Sequence, residues 1–113
     1  MSVSHITTHI LDTALGTPAT GVGVELYADD AGTWVRIASG TTDADGRVKN
    51  LGPKRLDSGR YSLRFDTAGY FAGINTESFF PEVSLTFTVE GSQAHYHVPL
   101  LLSPFAYSTY RGN

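Results

Sequence analysis

Four histidines, His5, His9, His95 and His97, fall in two short stretches near opposite ends of the chain. An imidazole titrates close to neutral pH, so one ring can take a proton from water and a second can return it to a leaving group. Histidines two residues apart on a strand project from one face and could instead hold a metal ion. Spacing alone favours a third reading, a solvated polar strand face. Arg47 follows an Asp-Gly turn. Its planar fork of donors could grip a flat anion or amide, although an Arg just past a turn is commonly a solvated edge residue. The tail Tyr110-Arg111-Gly112-Asn113 continues an aromatic run almost to the last residue, so it either lines a site or is a loose edge. Asp43 and Asp45 resemble a fragment of a calcium loop, but the remaining ligands are missing, and they read as turn formers.

His9 and His97 can meet only through a fold, and the hydrophobic pattern indicates which kind. Val83, Leu85, Phe87 and Val89 alternate with Ser84, Thr86 and Thr88, the two-residue period of a half-buried strand. Tyr61-Leu63-Phe65, Val22-Val24-Leu26 and Val35-Ile37 repeat the pattern, and β-rich runs cover residues 4–11, 95–102 and 105–110. Asp29-Asp30-Ala31-Gly32 separates two strands at hairpin length, Asp43-Ala44-Asp45-Gly46 is a turn, and Ser103-Pro104 is so short that the last two strands must be neighbours. Residues 67–75 lack alternation and are expected to form a short helix. Seven or eight short strands with one helix predict a mainly β protein, an antiparallel β-sandwich in one domain spanning residues 1–113. Alternation then puts His5, Thr7 and His9 on one face of the first strand. It puts His95, His97 and Pro99 on one face of a late strand, with Tyr96, Val98, Leu100 and Leu102 on the other.

Composition narrows the possible functions. With 113 residues the chain is too short for a doubly wound nucleotide-binding fold plus a second domain. Eight basic against eleven acidic residues, net charge −3, supply no basic stripe for nucleic acid. The absence of cysteine removes disulfides, thiolate metal sites and a cysteine nucleophile. No apolar run is long enough for a membrane helix. The start Met1-Ser2-Val3-Ser4-His5 has no basic and apolar leader, and the end is not a peroxisomal tail, so a soluble cytoplasmic protein is expected. Only 17% of residues are charged, against about a quarter in average domains, which suggests that other subunits cover part of the surface.

Three blocks together carry a family resemblance. They are His9-Ile10-Leu11-Asp12-Thr13-Ala14-Leu15-Gly16-Thr17-Pro18-Ala19, then Thr41-Thr42-Asp43-Ala44-Asp45-Gly46-Arg47, and His95-Tyr96-His97-Val98-Pro99-Leu100-Leu101-Leu102-Ser103-Pro104 with Tyr107-Ser108-Thr109-Tyr110-Arg111-Gly112. In this order the chain resembles the transthyretin-like (prealbumin-like) family, and within it the purine-catabolic enzyme branch, the 5-hydroxyisourate hydrolases. The resemblance implies two four-stranded sheets and one short helix, assembled as a homotetramer, a dimer of dimers, with sites in a channel between dimers. It implies hydrolysis of 5-hydroxyisourate to 2-oxo-4-hydroxy-4-carboxy-5-ureidoimidazoline in urate degradation, without metal or cofactor. His9 would be the general base or water-positioning group, His97 its partner in proton transfer, and Arg47 the grip on a substrate carbonyl. Tyr110 would contact the substrate ring, and Arg111 and Gly112 would shape the pocket. His5 and His95 fall outside the implied catalytic set and are expected at the surface or the pocket rim. The last residue, Asn113, departs from the Ser usual in that tail. A non-enzymatic carrier of a small aromatic ligand is the alternative that the same fold allows.

Overall fold

The computed structural model describes residues 3–113; Met1 and Ser2, which enter the reading of the N-terminus, lie outside the described residues. Two sheets face each other. The first contains β1 (Ile6–Asp12), β2 (Thr17–Pro18), β5 (Arg47–Val48), β8 (Tyr96–Leu102) and β9 (Tyr107–Thr109). The second has the order β4 (Thr33–Thr41), β3 (Gly23–Asp30), β6 (Gly59–Phe65), β7 (Val83–Val89). A short helix, α1 (Thr67–Gly73), links β6 to β7. Because β2 and β5 pair with different parts of β1, the first sheet holds five strands along a path four strands wide.

Strand alternation sorts the residues as the sequence requires. Ile6 and Ile10 of β1 and Tyr96, Leu100 and Leu102 of β8 point inward and are buried with Leu26, Leu63, Phe65 and Val83 of the facing sheet. Burying a side chain of this size contributes about 1.5–3 kcal/mol. The β3–β4 hairpin turns through Ala31 and Gly32, both at positive φ, as a two-residue loop with the strand-matching twist demands. At the end of β1, Asp12 is buried. Its Oδ1 accepts from the N–H groups of Ala14 and Leu15, bending the chain toward β2, and its Oδ2 accepts from Tyr70 Oη–H of α1 at 2.7 Å. Burial, and then this carboxylate, push the Tyr70 pKa up to about 12.

The structure departs from the expected all-antiparallel pairing and from the expected surface place of His5. The central pair β1–β8 is parallel, whereas the other pairs are antiparallel. The whole second sheet intervenes between these strands, so no hairpin constrains their direction. His5 is also not a surface or rim residue on the His9 face: it precedes β1 and is only 1% exposed. Its Nδ1 accepts from Leu56 N–H at 2.8 Å and its Nε2–H donates to Gln93 O at 2.7 Å, which sets one tautomer. His5→Ala is therefore expected to leave the buried Leu56 N–H without a partner and to open a cavity. The cost should be about 3 kcal/mol, read as a thermal midpoint roughly 12 °C lower at fixed protein concentration.

Candidate active site

The outward face of the first sheet collects the chemistry. In the parallel register Thr7 lies opposite His97 and His9 opposite Pro99, so both imidazoles share that face, two rungs apart. On the other edge of β1, His9 is paired directly with Arg47 of β5. The turn before β5 makes this pairing possible. Asp43 Oδ1 accepts from the N–H groups of Asp45 and Arg47, Gly46 takes φ +74°, and Gly46 O accepts from Ile10 N–H at 2.8 Å. The bond from Arg47 N–H is the first cause holding the Asp43 carboxyl below its usual range. A side chain at position 46 would place Cβ 2.5 Å from Ile10 O, so the Asp-Gly turn is tied both to its own conformation and to the close approach of β1.

The tail comes back to the same strand. Gly112 N–H donates to His97 O at 2.8 Å, and a Cβ on Gly112 would lie 2.8 Å from His97 Cδ2, so this glycine lies against the imidazole. Arg111 turns the other way. Its guanidinium stands 4.8 Å from the centre of the Tyr96 ring, on the side of β8 opposite His97. Tyr110 is exposed, and with Arg111 and Tyr96 it borders a groove of about 380 Å³ running along β7. In this chain, then, His9, Arg47, His97 and Gly112 come together, while Tyr110 and Arg111 border a neighbouring groove.

Two partners of His97 were not singled out as site residues from sequence. Thr7 Oγ1 lies 2.9 Å from His97 Nδ1 and 2.9 Å from His95 Nε2, and the two imidazoles are stacked with centroids 6.4 Å apart. Alternation had already put Thr7 beside His9, and His95 beside His97. Their contact depends on the β1–β8 register, which no local signal specifies. His97 has its pKa lowered, first by burial and then by the positive charges of Arg47, His95 and His9. Among the strand residues of this sheet only Asp12 and Arg47 are formally charged, and Asp12 is buried on the inner side. Arg47 is thus the one fixed positive charge that these strands place on the histidine face. Among the described residues there is no group of three or more His, Asp or Glu side chains placed to hold a metal ion, and no helix long and apolar enough to cross a membrane.

A transthyretin-type sandwich with a His/Arg/His face is the class that this geometry defines. Residues 6–112 match the HIUase/Transthyretin family, and the chain belongs to it. A 5-hydroxyisourate hydrolase of Salmonella typhimurium is 43% identical over 109 residues, covering 96% of this chain and 80% of that protein. The structure of the Klebsiella pneumoniae 5-hydroxyisourate hydrolase superposes with a TM-score of 0.86 at 38% identity, over 97% of this chain and 100% of that one. Sea bream transthyretin in complex with thyroxine superposes with a TM-score of 0.91 at 34% identity, over 96% and 94%. Backbone shape is therefore shared with a hydrolase and a thyroxine-bound transthyretin alike, and the side chains on the histidine face have to discriminate between them.

Proposed function

We propose that this chain is a 5-hydroxyisourate hydrolase of urate degradation. The single observation carrying this reading is the convergence of His9, Arg47 and His97 on one sheet face, on a chain 43% identical to a 5-hydroxyisourate hydrolase. Water attacks the ring carbonyl of an amide-type bond, the C–N bond breaks, and the six-membered ring opens. The water must lose a proton, the carbonyl oxygen gains negative charge, and the departing nitrogen must be protonated. Arg47 stabilises the oxyanion as the fixed cation of the face. His9 and His97 divide the proton traffic. The family resemblance implies His9 as general base or water-positioning group; the burial and neighbouring charges that lower the His97 pKa favour His97 as the acceptor and leave His9 to deliver the proton. No step calls for a metal or a cofactor.

The functional unit in this reading is one domain of residues 1–113 acting as a cytoplasmic homotetramer, a dimer of dimers. Half-buried Leu11 and Leu101 beside the histidines, and exposed Phe105, Tyr107 and Tyr110 nearby, support a face that other subunits cover. In such an assembly Tyr110 and Arg111 serve substrate binding from the tail.

The test is the ultraviolet absorbance of freshly generated 5-hydroxyisourate. Purified protein should accelerate its decay; an unchanged decay together with binding of iodinated aromatics would favour the carrier. The rate should also fall on acidification. Protonating His97 removes the acceptor, and because its pKa lies below the 6.5 of a free imidazole, the acid limb of kcat/KM should have its midpoint below pH 6.5. The same depression means that the folded chain binds this proton less readily than the unfolded one. The stability contributed by His97 is complete above about pH 6.5 and is lost as pH falls through the lowered value.

A further inference from the structure

We infer that Thr7 and His95 form a proton relay behind His97, with Thr7 setting the tautomer of His97 and His95 receiving the proton. The inference rests on the hydrolytic reading above. Its basis is the hydroxyl of Thr7, which stands 2.9 Å from His97 Nδ1 and 2.9 Å from His95 Nε2. A hydroxyl has a single proton, so Thr7 donates to one ring and accepts from the other. The two imidazoles are therefore linked. When Thr7 O–H donates to His95 Nε2, Thr7 Oγ1 accepts from His97 Nδ1–H, and His97 Nε2 carries a lone pair. When His95 Nε2 bears a proton, the chain reverses and His97 Nε2 is the protonated nitrogen.

The two arrangements are the start and end of one transfer. His97 Nε2 takes a proton from the attacking water as its Nδ1–H passes to Thr7 Oγ1. The Thr7 proton moves to His95 Nε2, and His95 becomes an imidazolium while His97 and Thr7 remain neutral. His95 is only half-buried and can return the proton to solvent. The positive charge thus ends two residues farther along the chain from the His9–Arg47 pair than it would on His97 itself. Thr7 is 6% exposed, so bulk water does not compete for its hydroxyl. Thr7 and His95 act through His97 and are positioning residues.

The experiment combines 15N NMR of the imidazoles in the resting protein with steady-state kinetics of Thr7→Val, Thr7→Ser and His95→Gln. In the native protein at neutral pH, His97 should be the Nδ1–H tautomer. Thr7→Val keeps the shape but removes the hydroxyl; it should shift His97 away from that tautomer and lower kcat roughly 10- to 100-fold with little change in KM, the scale of losing an orienting partner. Thr7→Ser should restore both. His95→Gln still hydrogen-bonds Thr7 but cannot take up the proton, and it should lower kcat without changing KM. A Thr7→Val protein with native His97 tautomer overturns the inference, as does His95→Gln turning over at the native rate across the pH range. Because the tautomer is read without substrate, its failure is distinct from failure of the hydrolytic reading, which would show as a native protein that leaves 5-hydroxyisourate decay unchanged.

Discussion

His97→Ala is expected to lower kcat/KM for 5-hydroxyisourate by about 10²–10⁴-fold while the thermal midpoint stays near that of the native protein. The range is that of a general acid or base lost from a reaction that cannot use bulk buffer efficiently. His97 is the point at which the face converges. Thr7 holds its Nδ1, Gly112 packs on its Cδ2, and the charges of Arg47, His95 and His9 reach it. No other side chain occupies the same position, because the next outward residue on β8 is Pro99. The ring is half-buried on the outer face and contributes little to the inter-sheet core, so the loss should appear in turnover rather than folding. Arg47→Ala should lose about 10²–10³-fold, as expected for one oxyanion-stabilising donor. Near-native turnover by His97→Ala, measured by absorbance decay with a matched melting curve, would sink the two-histidine scheme.

Gly46→Ala is expected to have the largest structural effect of any single methyl addition near the site. The new Cβ would meet Ile10 O at 2.5 Å, Pro18 Cβ at 3.1 Å and Ala19 N at 3.2 Å, and two of these three atoms are backbone that cannot rotate away. The residue also sits at φ +74°, which costs a non-glycine residue about 1 kcal/mol. Together these should destabilise the protein by about 3–4 kcal/mol, roughly 15 °C in thermal midpoint. Relieving the clash means moving β5 off β1. That breaks the bond from Ile10 N–H to Gly46 O and carries Arg47 away from His9, so turnover of the folded fraction should fall as well. Gly32→Ala is the matched control: φ is +89° but nothing lies within 4 Å, so only the conformational cost of about 1 kcal/mol is expected. Equal melting shifts for the two variants would refute the collision argument.

The three blocks of sequence that look most like function are partly architecture. Asp12 bends the chain after β1 and anchors α1 through Tyr70; Asp43 and Gly46 aim Arg47; Gly112 seats the tail against His97. His5 shows where strand alternation fails. Read as part of β1 it belongs to the His9 face, but it precedes the first ladder pair, Ile6 with Tyr96, and turns into the interior to satisfy Leu56 and Gln93. Alternation assigns a face only where a ladder holds the backbone extended.

The sequence by itself determined the two-residue period, the turns at Ala31-Gly32 and Asp43-Gly46, and the helix after β6, because these depend on residues close together along the chain. It also determined the outward face of His9 and His97 within their own strands. Only the tertiary structure decided that β1 and β8 are parallel neighbours in the register Thr7 to His97, and that β5 meets β1 at His9 to Arg47. Those pairings join residues from distant parts of the chain, and their geometry comes from packing two sheets on one core. A one-residue slip of either strand would reverse its faces and separate the histidines from each other and from Arg47.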